Sequence, residues 1–352
     1  PRHGSDIRLS LVVPLQQVVE QTMGRYQGAV VAMNPRTGQI YALFSNPSFD
    51  PNVLTFRFAR EGWDDIRKQK GNPMLNRATQ GRYPPGSTFK PIMALAGLSH
   101  GVSAQTRYTC TGALQVTDRD FNCWNKGGHG DLNLSDAIAH SCNVYFYQLG
   151  LRIGIDQIRE TAALFHMGER TGIDIPGENP GFFPDPEWKR LKTGNVWFPG
   201  DTVNLSIGQG YLLCTPLEVA AVTSAIAADG RLMTPHLLDV AGPRWVRASI
   251  PIPDASFRTV RNGMRRMVTI GTGVYLNALG MSIAGKTGTA QTMSGDAERG
   301  KELSWFAGFT PVEQASFTVM VIAEKGGHGS DTAVPIAAEV FRFYRDHPEL
   351  FQ

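Results

Sequence analysis

The sequence predicts an α+β fold: one antiparallel sheet flanked by helices, built from both ends of the chain, with a mostly helical sub-domain inserted. Three observations predict it. Strand-like patterns sit near the start, at 28–44. They return near the end, at 281–323. Between them, from 87 to 230, apolar residues recur mostly at helical spacing. This makes a single domain over 1–352, with a sheet sub-domain of about 1–82 and 255–352 and a helical sub-domain of about 83–254.

Each element has its own signal. Leu11, Val12, Leu15, Val18, Val19 and Met23 predict a helix within 8–23. Gly28–Met33 and Gln39–Phe44 flank Asn34-Pro35-Arg36-Thr37-Gly38, which reads as a β-hairpin. Both arms are almost wholly apolar, so they belong in a sheet covered on both faces. Residues 45–82 carry Pro47, Pro51, Gly62, Gly71 and Pro73 and read as loop-rich. Helices are expected over Leu134–His140 and Val144–Leu151, with loops at 107–130, 171–205 and 207–215. A polar helix follows over about Asp254–Met267. Strands are expected at 281–292, 304–310 and 316–323, and a closing helix from about Ala333 to Tyr344.

Composition excludes several classes. The 352 residues are 42% hydrophobic and 18% charged, as in a globular protein, and the net charge is +3. No Lys/Arg stripe marks a nucleic-acid partner. No apolar run is long enough to span a membrane, and no signal peptide is present. The chain opens on Pro1, so an anchor or a further domain is expected upstream.

The stretch that carries chemistry is Tyr83-Pro84-Pro85-Gly86-Ser87-Thr88-Phe89-Lys90. Two prolines and a glycine read as a loop ending at a helix start. Pro91 fits only a first helical turn. Ser87 therefore sits at a helix N-terminus, with Lys90 one turn on along the same face. A serine with a lysine in reach is a nucleophile with its base. The helix N-terminus adds N–H donors suited to an oxyanion. The competing explanation is an N-cap serine beside a solvated lysine.

Two further patterns follow. Ser141-Cys142-Asn143 places two polar side chains two residues apart between predicted helices; one can relay a proton and the other can bind an amide. The competing explanation is a helix cap. Lys286-Thr287-Gly288-Thr289 lies in a strand pattern. Lys286 can hold a carboxylate, Gly288 would let a ligand backbone come close, and the strand can pair with an extended peptide. Here the competing explanation is a solvated lysine protecting a sheet edge.

Together, in this order, the three patterns resemble the β-lactamase and penicillin-binding protein superfamily. Gly128–Leu134, Tyr145–Gln148, Thr171–Pro176, Gly208–Tyr211 with Thr215-Pro216, and Lys286–Gln291 narrow the resemblance to class B penicillin-binding protein transpeptidase domains. Gly200-Asp201-Thr202 and Gly208–Pro216 are most similar to the elongation-specific Gram-negative branch, penicillin-binding protein 2. One departure is Asn143, where several members of that branch carry Asp.

The resemblance implies a penicillin-binding transpeptidase or serine β-lactamase-like fold and a peptidoglycan D,D-transpeptidase. Lys90 would take the Ser87 proton, and Ser87 would attack a D-Ala–D-Ala stem peptide. The N–H groups of Ser87 and Thr289 would form the oxyanion hole. Ser141 would pass a proton to the leaving D-Ala. Asn143 would position the donor amide, and Lys286 would keep the potential positive. Thr287 and Thr289, with Gly288 between them, would hold the terminal carboxylate. No cofactor is required for this chemistry. β-Lactams would acylate Ser87 and stall. The implied partners are stem peptides, a membrane glycan polymerase and elongation-complex proteins, reached through N-terminal regions. The implied location is the periplasmic face of the inner membrane, anchored by a segment upstream. The alternatives are a β-lactam-sensing receptor domain, a serine β-lactamase or D,D-carboxypeptidase, and an inactive scaffold. A β-lactamase needs a water-activating residue that no motif supplies, and three intact motifs argue against a scaffold.

Cys110, Cys123, His129 and Cys142 form a Cys-x12-Cys-x5-His-x12-Cys set. Cys₃His suits structural zinc. A disulfide and unconnected buried thiols are the alternatives, though three thiols leave one unpaired in any disulfide scheme. Cys214 lies in an apolar run and reads as core. His140, His166 and His328 are expected to be solvated or structural.

Overall fold

The computed structural model describes residues 4–55, 59–240, 242–291 and 302–351. Thr292, the last residue of the strand expected at 281–292, lies outside them. The chain begins with α1 (Val13–Met23), β1 (Gly28–Met33), β2 (Ile40–Asn46), α2 (Ala59–Lys68) and α3 (Lys90–Ser99). Four short strands follow: β3 (Tyr108–Cys110), β4 (Ala113–Val116), β5 (Arg119–Asn122) and β6 (Gly130–Leu132). The helical block continues with α4 (Leu134–Ala139), α5 (Asn143–Leu164), α6 (Pro186–Thr193), α7 (Pro199–Leu205) and α8 (Pro216–Ala227). After it come β7 (Arg231–Met233), β8 (Val246–Ser249), α9 (Asp254–Ile270), β9 (Ala284–Ala290), β10 (Leu303–Thr310), β11 (Phe317–Ala323) and α10 (Ala333–Asp346).

The main sheet has the order β2-β1-β11-β10-β9 and is antiparallel throughout. Its first two strands come from the start of the chain and its last three from the end, as the sequence predicts. Alternate residues explain why the strands are apolar on both sides. Ala29, Val31, Met33, Trp305, Met320 and Ile322 enter the core beneath the helical block. Val30, Ala32, Phe306, Phe317, Val319 and Val321 enter a second core shared with α1 and α10. A strand buried on both faces has no polar side, so its sequence is a continuous apolar run. On the helical side α8 crosses β1, β10 and β11, while α9 lies on β9, α4 and α3. That leaves β9 as an edge strand facing the turn that carries Ser87.

Several sequence expectations are corrected. Residues 8–12 do not join α1: Leu9 bridges Leu238, and the Ser10 hydroxyl donates to the Ile40 carbonyl. Pro14 fits only the first turn, so the helix starts at Val13. α2 is a helix that the loop-rich reading of 45–82 did not single out. The segment 107–130 is not a loop but holds β3, β4 and β5, whose exposed, charged residues (Arg119, Asp120) hide any alternation. The segment 171–205 holds α6, capped by Asp185, and α7. α5 also runs past Leu151 to Leu164, with a break at Gly154 (φ 77°, ψ 167°). No described helix is long and apolar enough to cross a membrane.

Candidate active site

Ser87 lies in a single 3-10 turn, Gly86–Phe89, that runs directly into α3. Pro91 sits in the first turn of α3, as its ring requires. The loop before it is fixed at several points. Tyr83 exchanges backbone hydrogen bonds with Cys214, and its hydroxyl donates to Glu324 Oε1 at 2.7 Å. Arg77, itself buried, pairs with the same carboxylate at 2.7 Å. Gly86 has φ +55°, and its N–H donates to the Gly208 carbonyl at 3.0 Å. Gly208 also has positive φ, and a Cβ there would stand 2.1 Å from the Gly86 oxygen. The stretch 208–216 therefore rests on the nucleophile turn with no room for a side chain.

Lys90 is fully buried. Its Nζ donates to the Ser141 carbonyl at 2.7 Å, to Asn143 Oδ1 at 2.7 Å and to Ser141 Oγ at 3.3 Å. These satisfy the three protons of an ammonium. Burial nonetheless lowers its pKa to about 8. Lys90 makes no hydrogen bond to Ser87, the partner expected from the sequence. It is instead tied across to the second motif. Catalytic hydrogen bonds are often loose before a substrate arrives.

The second motif is the junction of α4 and α5. Ser141 is 6% exposed and adopts φ +54°, a strained conformation for a residue with a side chain. Asn143 is the first residue of α5 rather than a loop residue. Neither residue is the cap of α5. That part is played by Cys142, whose Sγ accepts the Tyr145 N–H at 3.4 Å. The competing explanation of this motif thus falls on the cysteine, which frees Ser141 and Asn143 for Lys90.

The third motif lies in β9. Thr287 and Thr289 face the cleft. Lys286 is 1% exposed, lies behind the cleft wall, and donates to the Thr287 carbonyl at 3.0 Å. Burial lowers its pKa strongly, and the charge of Lys90 lowers it further. Gly288 has a different purpose from the one expected. A Cβ there would meet Trp305 Cβ at 3.0 Å, Pro85 O at 3.1 Å and Thr88 Cγ2 at 3.1 Å. It lets β9 press against the nucleophile loop, not against a ligand backbone.

These residues share one cleft of about 800 Å³. Its walls include Ser87, Ser141, Asn143, Thr287, Gly288 and Thr289. Tyr147 and Gln209, from the motifs Tyr145–Gln148 and Gly208–Tyr211, line it as well, and so do residues the sequence did not flag, among them Asn122, Trp124, Asn204 and Thr272. His328 lines it too and is exposed there. A nucleophile and convergent hydroxyls in one cleft, with a depressed lysine buried behind them and bonded to Ser141 and Asn143, are the makings of an acyl-transfer site.

The family model described as "Penicillin binding protein transpeptidase domain" matches residues 28–342. The chain belongs to that family. Peptidoglycan D,D-transpeptidase MrdA of Acinetobacter baumannii is 37% identical over 366 residues, covering 98% of this chain and 54% of the relative. The chain thus spans about half the length of the curated relatives it matches. The solved complex of Helicobacter pylori penicillin-binding protein PBP2 with MreC superposes with a TM-score of 0.89 at 30% identity. It covers 97% of this chain and 64% of that one. Penicillin-binding protein A of Mycobacterium tuberculosis, as its penicillin G acyl-enzyme complex, gives a TM-score of 0.80 at 26% identity, over 96% and 80% of the two chains.

In this penicillin-binding transpeptidase domain a second cluster adjoins the cleft. The ligand atoms of Cys110, Cys123, His129 and Cys142 all lie within 4.8 Å of one another. His129 Nδ1 is 3.6 Å from Cys110 Sγ and 3.5 Å from Cys123 Sγ. A tetrahedral ion with bonds of about 2.0–2.3 Å spaces its ligands about 3.5–3.8 Å apart, so the set fits. All four cysteines of the chain are unpaired thiols, so the disulfide alternative is not formed. Burial lowers the pKa of His129, which favours its neutral form, and the hydrogen bond between Cys123 and Cys142 lowers the first thiol and raises the second, so in the absence of an ion the two share a proton. Cys214 is fully buried in the main core, as expected.

Gly208→Ala should displace Gly86 and with it Ser87. The expected result is at least a tenfold slower covalent labelling by penicillin with the far-ultraviolet circular dichroism spectrum unchanged. An unaltered labelling rate would mean that this contact does not set the nucleophile.

Proposed function

We propose that the chain is the catalytic domain of a peptidoglycan D,D-transpeptidase that cross-links stem peptides through an acyl-enzyme on Ser87. The observation that carries this reading is the convergence of Ser87, the Lys90–Ser141–Asn143 network and the Thr287/Thr289 strand on one cleft. Neutral Lys90 takes the proton as Ser87 Oγ attacks the carbonyl of the penultimate D-Ala. The N–H groups of Ser87 and Thr289 receive the oxyanion. Ser141, hydrogen-bonded to Lys90, returns a proton to the amine of the leaving D-Ala as the peptide bond breaks. Asn143 holds the donor amide, and Thr287 and Thr289 hold the terminal carboxylate. Lys286 adds to the positive potential behind the cleft wall, and the charge of Lys90 lowers its pKa beyond the effect of burial. An amine of a second stem peptide then attacks the ester and releases Ser87. In a β-lactam the leaving amine stays tethered to the acyl group, so the reaction stops at the ester. The sheet sub-domain, about 1–82 with 255–352, and the helical sub-domain, about 83–254, form opposite sides of this cleft in the proposal.

The Helicobacter pylori relative is complexed with MreC. We extend that to this chain: its partners are elongation-complex proteins and a membrane glycan polymerase, at the periplasmic face of the inner membrane. The Cys₃His cluster is read as a structural zinc site, with Cys110, Cys123, His129 and Cys142 as ligands. Zinc there would join β3, the end of β5 and the cap of α5 without entering the chemistry.

Three outcomes test the reading. Penicillin should add one stable covalent mass to the protein and none to Ser87→Ala. Loss of the adduct within minutes, with drug hydrolysis, would make the protein a β-lactamase instead. Penicillin labelling should also speed up with pH. Lys90 must be neutral to accept a proton, so below its pKa of about 8 the rate rises about tenfold per pH unit and levels off above it. A profile flat from pH 6 to 9 would remove Lys90 as the base. Native mass spectrometry should find one zinc per chain. Cys123→Ser should lose it and lower the thermal midpoint by roughly 5 °C, whereas an unchanged midpoint and no bound metal would reject the zinc site.

A further inference from the structure

The turn after α9, Gly271-Thr272-Gly273, reaches the cleft from an element that none of the three motifs contains. Thr272 Oγ1 lies 2.5 Å from Thr287 Oγ1. Each hydroxyl has one proton, so one proton fills this contact and the other is free to turn outward. We propose that Thr272 is a positioning residue for recognition of the donor's terminal carboxylate: its hydroxyl donates to Thr287 and directs the Thr287 proton into the cleft. This rests on the transpeptidase reading, in which Thr287 and Thr289 hold that carboxylate.

The neighbouring threonine shows the same arrangement built by other means. Gly329 N–H donates to Thr289 Oγ1 at 3.3 Å. A backbone N–H can only donate, so the Thr289 hydroxyl accepts there and keeps its own proton for a ligand. Thr287 needs a donor to reach the same state, and Thr272 is the group the fold brings to it. Among the described residues lining the cleft there is no Lys or Arg. Recognition of an anion then falls on neutral donors whose protons point the right way, and hydroxyls linked in series polarise one another.

The place of Thr272 is fixed by its two glycines. A Cβ on Gly271 would stand 2.1 Å from the Ala139 carbonyl oxygen, and one on Gly273 would stand 2.4 Å from Met267 Sδ. The N–H groups of both donate to the Met267 carbonyl, at 3.2 and 3.0 Å. Ala139 ends α4, two residues before Ser141. Thr272 is therefore placed relative to the second motif as well as the third.

The test uses two thioester donors, N-benzoyl-D-alanyl-thioglycolate and its carboxamide, with thiol release as the readout. Thr272→Val keeps the shape and removes the hydroxyl; Thr272→Ser keeps the hydroxyl. For the carboxylate donor Thr272→Val should raise KM about tenfold with kcat little changed, and Thr272→Ser should restore KM to within about threefold of the parent. The carboxamide donor should be indifferent to both changes. Equal losses on both donors would show a merely structural role and overturn the proposal, as would an unchanged KM in Thr272→Val. A parent protein that acylates with neither donor would overturn the transpeptidase reading and this proposal with it.

Discussion

A buried ammonium has to be surrounded by acceptors, and Lys90 finds all of its own at the junction of α4 and α5. Two of its three protons go to Ser141 and the third to Asn143. Removing those acceptors would leave an unpaired charge in the core, which costs several kcal/mol. The lysine thus holds the α4–α5 junction as firmly as the junction holds the lysine. This explains how Ser141 can keep a left-handed backbone at φ +54°. Strain of about 1–3 kcal/mol persists only where neighbours over-determine the conformation. Here Lys90 grips Ser141 from one side, and the Cys142 cap of α5 holds the next residue from the other.

The nucleophile turn is set by a separate group of contacts. Tyr83 and Arg77 converge on Glu324 at the end of β11, while Gly86 is bonded to Gly208 and β9 presses on Pro85 through Gly288. Sheet, helical block and the stretch after α7 therefore meet at Ser87. The edge strand β9 has its open side toward the same point, where an extended peptide can pair with it.

How much of this was legible in the sequence follows from how local each feature is. β1, β2, β10 and β11 were legible because burial on both faces leaves them without a charged residue and with long apolar runs. Ser87, Lys90, Ser141, Asn143 and Lys286 were legible because each belongs to a short run whose order is specific. The strands β3–β6 were not, since three or four residues are too few to show a period, and β5 and β6 also carry exposed charges. Thr272, Asn204 and His328 were invisible for a different reason. Each is an ordinary polar residue, Asn204 in α7 and the other two in turns or loops, and only tertiary packing brings it to the cleft. Gly288 was misread because a sequence shows that a side chain is missing but not what fills the space. Here Pro85, Thr88 and Trp305 fill it.

The Cys/His cluster ties the least apolar part of the helical block to the chemistry through backbone rather than side chains. Cys123 Sγ accepts the Asn143 N–H, and Cys142 Sγ accepts the Tyr145 N–H, both at 3.4 Å. Sulfur is a weak acceptor as a thiol and a much better one as a thiolate. Any agent that keeps these sulfurs ionised, a bound metal above all, would strengthen both bonds and with them the first turn of α5. Asn143, which begins that turn, is the residue that takes the third proton of Lys90. Order in the segment 107–130 is in this way transmitted to the lysine through two hydrogen bonds and one helix start, although no ligand of the cluster need touch a substrate.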